Sequence, residues 1–172
     1  SSSQYRKKLL ADIGLHVETM SPDIDETPKP HEAALTLSKR LAQEKALKVS
    51  ARVSNDEAIV IGSDQVAFLA TDDEPVLLGK PLNVSTAVEQ LKRCQGKTVS
   101  FFTAICVYQA SSDTLITDVE ETRVHFRENT TSLLQDYVEK EQPLDCAGSF
   151  KSEGMGVLLF KRVEGRDPNS LI

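Results

Sequence analysis

Three consecutive β-branched apolar residues, Ile59, Val60 and Ile61, constrain this chain more than any other stretch. Such a run reads as a strand buried on both faces, as in an open α/β sheet with helices packed over it. Gly62 and Ser63 follow as small residues that end the run and let the backbone turn or admit a ligand closely. Asp64 then sets a carboxylate just past the strand's end, where open α/β sheets bind their ligands. An aspartate that merely turns the chain is the competing reading, and the rest of the sequence has to decide.

The 172 residues suffice for one domain with a substantial core. A formal net charge of −6 argues against nucleic acid or a membrane surface as partner, since both favour broad positive patches. It leaves room for a small anion, which feels chiefly the charges within about 8–10 Å. No apolar run approaches the ~20 residues of a transmembrane helix. Cys94, Cys106 and Cys146 are odd in number and lack C-x-x-C spacing, which suits reduced thiols and a cytoplasmic location.

Along the chain, Tyr5, Leu9, Leu10 and Ile13 fall at helical spacing over Gln4 to Ile13, with Ser3 able to cap and Gly14 to stop the helix. Arg6, Lys7 and Lys8 crowd its first turns, the wrong end for cations in the helix dipole. A bound anion would remove that conflict; a solvated basic patch is the alternative. Leu15 to Met20 reads as a short strand, and the loop from Ser21 to Pro28 carries Asp23, Asp25 and Glu26 between prolines. Carboxylates in an irregular loop suit Mg²⁺, with substrate phosphates completing its shell, although such a loop is also often only solvated.

The clearest helix spans His31 to Arg52, with Ala34, Leu35, Leu37, Leu41, Ala42, Ala46 and Val49 on one face. Lys45 sits inside that face. Either its stem snorkels along its neighbours or its ammonium points into a cleft and needs an anionic partner. Val66 to Ala70 continues extended, a polar turn follows, and Val76–Leu78 returns as a second strand. Lys80, held between Gly79 and Pro81, suits a phosphate contact or a plain loop charge. A helix capped by Asn83 or Ser85 follows, then strands over Val99–Tyr108 and Thr114–Phe126, and a helix opening at Thr130 or Thr131. The small-residue loop from Cys146 to Gly156 leads into a strand over Val157 to Phe160, and the tail is polar.

No H-E-x-x-H, G-x-S-x-G or G-x-x-x-x-G-K-[ST] pattern occurs, and His16, His31 and His125 lack metal-ligand spacing. What remains is a set of basic residues in three places that want an anion, together with loop carboxylates suited to a divalent metal. That composition fits phosphate transfer or hydrolysis, in which positioning and charge neutralisation carry most of the catalysis.

The motifs carry a resemblance. Ser1-Ser2-Ser3-Gln4-Tyr5-Arg6-Lys7 resembles the A-S-x-S-P-x-R-[RK] signature of the Maf family of nucleoside triphosphate pyrophosphatases. The segment from Ser21 to Pro28, Leu41-Ala42-Gln43-Glu44-Lys45-Ala46, Gly62-Ser63-Asp64-Gln65 and Gly79-Lys80-Pro81 match its later motifs in order. The resemblance implies a Maf/ITPase-like α/β fold: a mixed twisted sheet flanked by helices, in two lobes with a central cleft, often as a homodimer. It covers residues 1–172 as a single domain, which on this resemblance is expected to lack the family's first strand and C-terminal helix.

The implied reaction is metal-assisted hydrolysis of a nucleoside triphosphate to the monophosphate and pyrophosphate, with Mg or Mn as cofactor. By the same resemblance Asp64 is the proton acceptor, Ser3, Arg6, Lys45 and Lys80 hold the triphosphate, and Glu26 and Asp64 bind the metal. Gly-Ser-Asp-Gln and Phe150-Lys151-Ser152-Glu153-Gly154 resemble the branch that hydrolyses 7-methyl-GTP, whereas the dTTP/UTP branch carries Thr in place of Gln65 and Gln in place of Glu153. Methylation makes guanine cationic, so Glu153 could offset its charge, and Tyr5, where the branch tends to have Trp, could add an aromatic face. The substrate-specificity set is therefore Tyr5, Gln65 and Glu153. The alternatives are dTTP/UTP specificity and a non-catalytic nucleotide-binding regulator of cell division. All these groups are expected to face one groove.

Overall fold

The computed structural model describes residues 3–71 and 75–172; the first two serines and most of the polar turn expected before Val76 lie outside the described residues. Within them, α1 (Gln4–Asp12), α2 (Ala34–Ser50), β1 (Ile59–Leu69), β2 (Val76–Leu78), α3 (Val84–Cys94), β3 (Thr98–Gln109), β4 (Thr114–Phe126), α4 (Thr131–Glu141) and β5 (Phe160–Glu164) follow in order. The strands form one five-stranded sheet in the order β2-β1-β3-β4-β5, and the α/β class is the one expected. β1 pairs antiparallel with β2, and β4 with β5. The short β3–β4 connection admits only an antiparallel hairpin.

Local chemistry explains the helix ends. Ser3, Asn83 and Thr130 each accept a backbone N–H from the first turn of α1, α3 and α4, so all three begin at a side-chain cap. Gly14, at φ +84°, ends α1 in the left-handed turn, its N–H donating to Ala11 O at 2.9 Å. α2 starts at Ala34 rather than at His31, because His31 itself adopts a left-handed φ of +59° that no helix continues. None of these helices is long and apolar enough to cross a membrane, among the described residues.

The chain divides into two compact units. The first comprises Ser1–Asp64, Ala104–Val119 and Ile172. Its core sets Ala42 and Ala46 of α2 against Val60, Ala104 and Cys106, with Val49, Tyr108 and Val119 packed alongside. These residues are small because helix and strand lie unusually close. A Cβ on Gly62 would stand 2.2 Å from Ala42 O and 2.7 Å from Ala46 N, so glycine alone fits there. Gly62 therefore does not end the strand, as its small size suggested; it lets α2 cross β1, which continues to Leu69. Leu15 to Met20 forms no strand. That segment is largely exposed, and alternation without a surface to pack on gains nothing from the extended state. Leu35 is 41% exposed, outside the buried face of α2 predicted for it.

The second unit comprises Gln65–Thr103 and Glu120–Leu171. Its core gathers Leu69, Leu78, Leu91, Val99, Phe101, Val124, Phe126, Leu134, Tyr137 and Leu159 around Phe150. The Phe150 ring lies 5.6, 5.3 and 5.9 Å from those of Phe101, Phe126 and Phe160, tilted or edge-on as aromatic quadrupoles prefer. The last strand is displaced from its expected place. Gly154–Leu158 winds as a 3-10 turn with Val157 and Leu158 exposed, and β5 begins only at Phe160. The turn is tight enough that a Cβ on Gly156 would collide with Lys151 O, and β5 joins β4 through an irregularity at His125/Phe126.

Candidate active site

Along β1 of the first unit the side chains alternate, so Val60, Gly62 and Asp64 share the face turned to α2. Asp64 lies in mid-strand, not beyond the strand's end, and is 7% exposed. Opposite it stands Lys45, the cation embedded in the apolar face of α2. Lys45 Nζ lies 2.6 Å from Asp64 Oδ1 and 2.7 Å from Glu26 Oε1, with the lysine side chain 12% exposed. The lysine does not snorkel outward. Its ammonium bridges a strand carboxylate and a loop carboxylate, and a charge this buried requires such partners.

Arg6 joins the same unit from α1. Its Nη1 donates to Ser63 O at 3.0 Å, one residue before Asp64, while its backbone N–H donates to Ser3 Oγ at 3.3 Å. Burial lowers the Arg6 pKa, and the charges of Asp64 and Glu26 oppose that shift; a guanidinium stays protonated throughout the working range. Ser3 thus combines its cap role with a place at the helix N-terminus, a position suited to an anion. Burial, assisted by Glu26, raises the Asp64 carboxyl above the ordinary aspartate range, with Lys45 and Arg6 pulling it back. A carboxylate so balanced is a stronger base than an exposed aspartate.

The loop that carries Glu26 is held by Arg40, which no local sequence pattern singles out. Arg40 Nε and Nη2 donate to the two Glu32 oxygens at 2.7 and 2.8 Å, Nη2 also donates to Thr27 O at 3.1 Å, and Nη1 reaches Glu44. This bidentate clamp fastens the acidic loop to α2 beside Glu26. The Arg40 hydrogen bond, followed by one from the Lys29 N–H, depresses the Glu32 carboxyl to about 2. Its contribution to stability is accordingly full above the ordinary glutamate pKa and lost as pH falls towards 2. The signal lay in Arg40 and Glu44 at helical spacing, but Glu32 sits across a loop, beyond any local pattern.

Hard oxygen donors converge at this point. Asp64 and Glu26 present two carboxylates to a common cation, Lys45, and no group of three or more metal-binding side chains exists among the described residues. Two carboxylates completed by water and substrate phosphates are the usual protein share of a Mg²⁺ shell. The residues fit such an ion.

Tyr5, on the same helix as Arg6, is 40% exposed, and α1 buries none of its residues. The remaining predicted residues belong to the second unit. Gly79 O, just before Lys80, accepts from Gly148 N at 3.3 Å and Gln90 Nε2 at 3.1 Å, so the turn is fixed while the exposed Lys80 makes no ion pair among the described residues. Gln65 donates through Nε2 to Thr103 Oγ1 at 2.9 Å and to Ser170 O at 3.0 Å, tying β1 to the 3-10 turn Pro168–Leu171. Threonine at this position would be too short to make both bonds. Glu153 is exposed and accepts from Ser152 Oγ at 3.3 Å.

The Maf-like protein family matches this chain over residues 1–172. A protein of Nitrosococcus oceani named 7-methyl-GTP pyrophosphatase is 45% identical over 172 residues, covering all of this chain and 83% of that protein. One of the same name from Colwellia psychrerythraea is 44% identical over the same length, with the same coverage.

Proposed function

This chain belongs to the Maf-like protein family, and from that premise we propose that it hydrolyses 7-methyl-GTP to 7-methyl-GMP and pyrophosphate. The observation that carries the reading is the triad of Asp64, Lys45 and Glu26, with Arg6 bound one residue away. Asp64 accepts a proton from water as its oxygen attacks phosphorus, the α,β-anhydride P–O bond breaks, and the electron pair leaves with pyrophosphate. Lys45 exchanges its carboxylate partners for phosphate oxygens, and Arg6, Ser3 and Lys80 hold the rest of the triphosphate. Asp64 and Glu26 would hold a divalent ion, Mg²⁺ or Mn²⁺, which supplies charge neutralisation to the phosphates.

The named relatives favour the methylated guanine over dTTP or UTP, and so does charge. The base is cationic, and Glu153 offers an exposed carboxylate to it. Tyr5 supplies a half-exposed ring for stacking, worth about 0.5–2 kcal/mol against a cation, and Gln65 completes the specificity set. The working form we propose is a homodimer in the cytoplasm, with neither nucleic acid nor membrane as partner.

A panel of triphosphates tests the reading. With Mg²⁺ or Mn²⁺ and a coupled pyrophosphatase, 7-methyl-GTP is expected to give the highest kcat/KM, above GTP, UTP and dTTP. Preference for UTP or dTTP would reassign the chain to the sister specificity; binding without turnover of any would make it a nucleotide-binding regulator.

A further inference from the structure

Within the second unit, one side chain joins two loops to which the proposed function assigns different tasks. Gln90, half-buried on α3, donates through Nε2 to Gly79 O at 3.1 Å and accepts at Oε1 from Ser149 Oγ at 2.6 Å. The amide orientation is forced, because a carbonyl oxygen such as Gly79 O only accepts. Gly79 precedes Lys80. Ser149 opens the stretch that leads to Glu153, and that stretch is held by a buried hydroxyl. Tyr137 Oη donates to Ser149 O at 3.2 Å and accepts from Lys151 N at 2.9 Å. Gly148 N to Gly79 O at 3.3 Å and Leu82 N to Leu144 O at 3.1 Å bring the same two loops together directly.

A glutamine on a helix surface gives α3 no helical stability that Lys or Glu would not. A side-chain amide, however, places an uncharged donor and an uncharged acceptor on two separate atoms, so it can bridge two partners, and Asn would be shorter by a methylene. We propose that Gln90 is a positioning residue: its amide couples the Gly79–Lys80–Pro81 turn to the Ser149–Glu153 stretch, so that the phosphate grip and the base-selecting carboxylate are set as one piece. The inference rests on the roles given above to Lys80 and Glu153. A misplacement of the order of 1 Å in a substrate-holding group costs up to about a hundredfold in rate, which gives this coupling its leverage.

The test uses Gln90→Met, which keeps length and volume while losing both bonds, and Gln90→Glu, which keeps the acceptor for Ser149 but loses the donor to Gly79. Amide hydrogen exchange at Gly148 and Lys151 reports the link without any substrate, and steady-state kinetics report its use. Faster exchange at both amides in Gln90→Met, KM for the best triphosphate raised about tenfold with kcat changed less, and partial rescue in Gln90→Glu are expected. Lys80→Ala should then cost less in the Gln90→Met background than in the wild type, because the grip is already displaced. Unchanged exchange, or strictly additive effects of the two substitutions, overturns the coupling while leaving the hydrolase reading intact. A wild-type enzyme that turns over no triphosphate removes the hydrolase reading instead, and the coupling role with it.

Discussion

Asp64→Asn is expected to abolish turnover, by about 10²–10⁴-fold in kcat, without unfolding the protein. Asparagine matches the shape of aspartate and still offers an oxygen to Lys45, but it cannot take a proton from water. The stability side has a definite sign. Burial raises the Asp64 pKa in the folded state, so the native protein binds more protons than the unfolded chain between the ordinary aspartate value and the raised one. Wild-type stability from this group therefore falls as pH rises through that window, and the asparagine variant escapes that fall. Its melting temperature at neutral pH should be no lower than that of the wild type, read by calorimetry beside the rate assay. Retained turnover would remove Asp64 from the chemistry; a collapsed melting temperature would make its role structural.

Lys45→Met should produce the second large effect, on both activity and stability. Methionine fills the space along α2, but Asp64 and Glu26 then face each other with the intervening cation gone. Breaking a buried pair by removing one partner costs about 3–5 kcal/mol; Glu26 is 47% exposed, so solvent screens part of this and the lower end is expected. The cost is greatest at high pH and shrinks as pH falls and Asp64 protonates. Turnover should drop by about 10²–10³-fold, the usual loss for one donor to developing phosphate charge. Calorimetry at two pH values, run with the kinetic assay, separates this from simple loss of packing, which would be independent of pH.

The parts of this site that were legible in the sequence are those fixed by local chemistry. Ser3, Asn83 and Thr130 announced helix starts because a capping oxygen acts within three residues of its own position. Lys45 stood out because a cation inside a helix's apolar face has few outcomes, and the one realised is an internal ion pair. Features set by tertiary contact were not legible. Gly62 looks the same whether it ends a strand or lets α2 cross it, and only the backbone of α2, which leaves no room for a Cβ there, distinguishes the two. Arg40 and Glu32 meet across a loop, so their clamp on the Glu26 segment left no periodic trace. Val157 and Leu158 have strand-like composition but wind into a 3-10 turn, because the backbone at Gly156 closes tightly on Lys151.

Catalysis as proposed depends on Asp64 being a carboxylate whose basicity is set by burial, by Glu26 and by the cation between them. Titration of the Asp64 side-chain carbonyl carbon by NMR, in metal-free wild type and in Glu26→Gln, measures this directly. The wild-type pKa is expected above the ordinary aspartate value, and it should fall in Glu26→Gln, where a neighbouring negative charge has been removed. A wild-type value at or below that of an ordinary aspartate, unmoved by the Glu26 substitution, would contradict this role for Asp64.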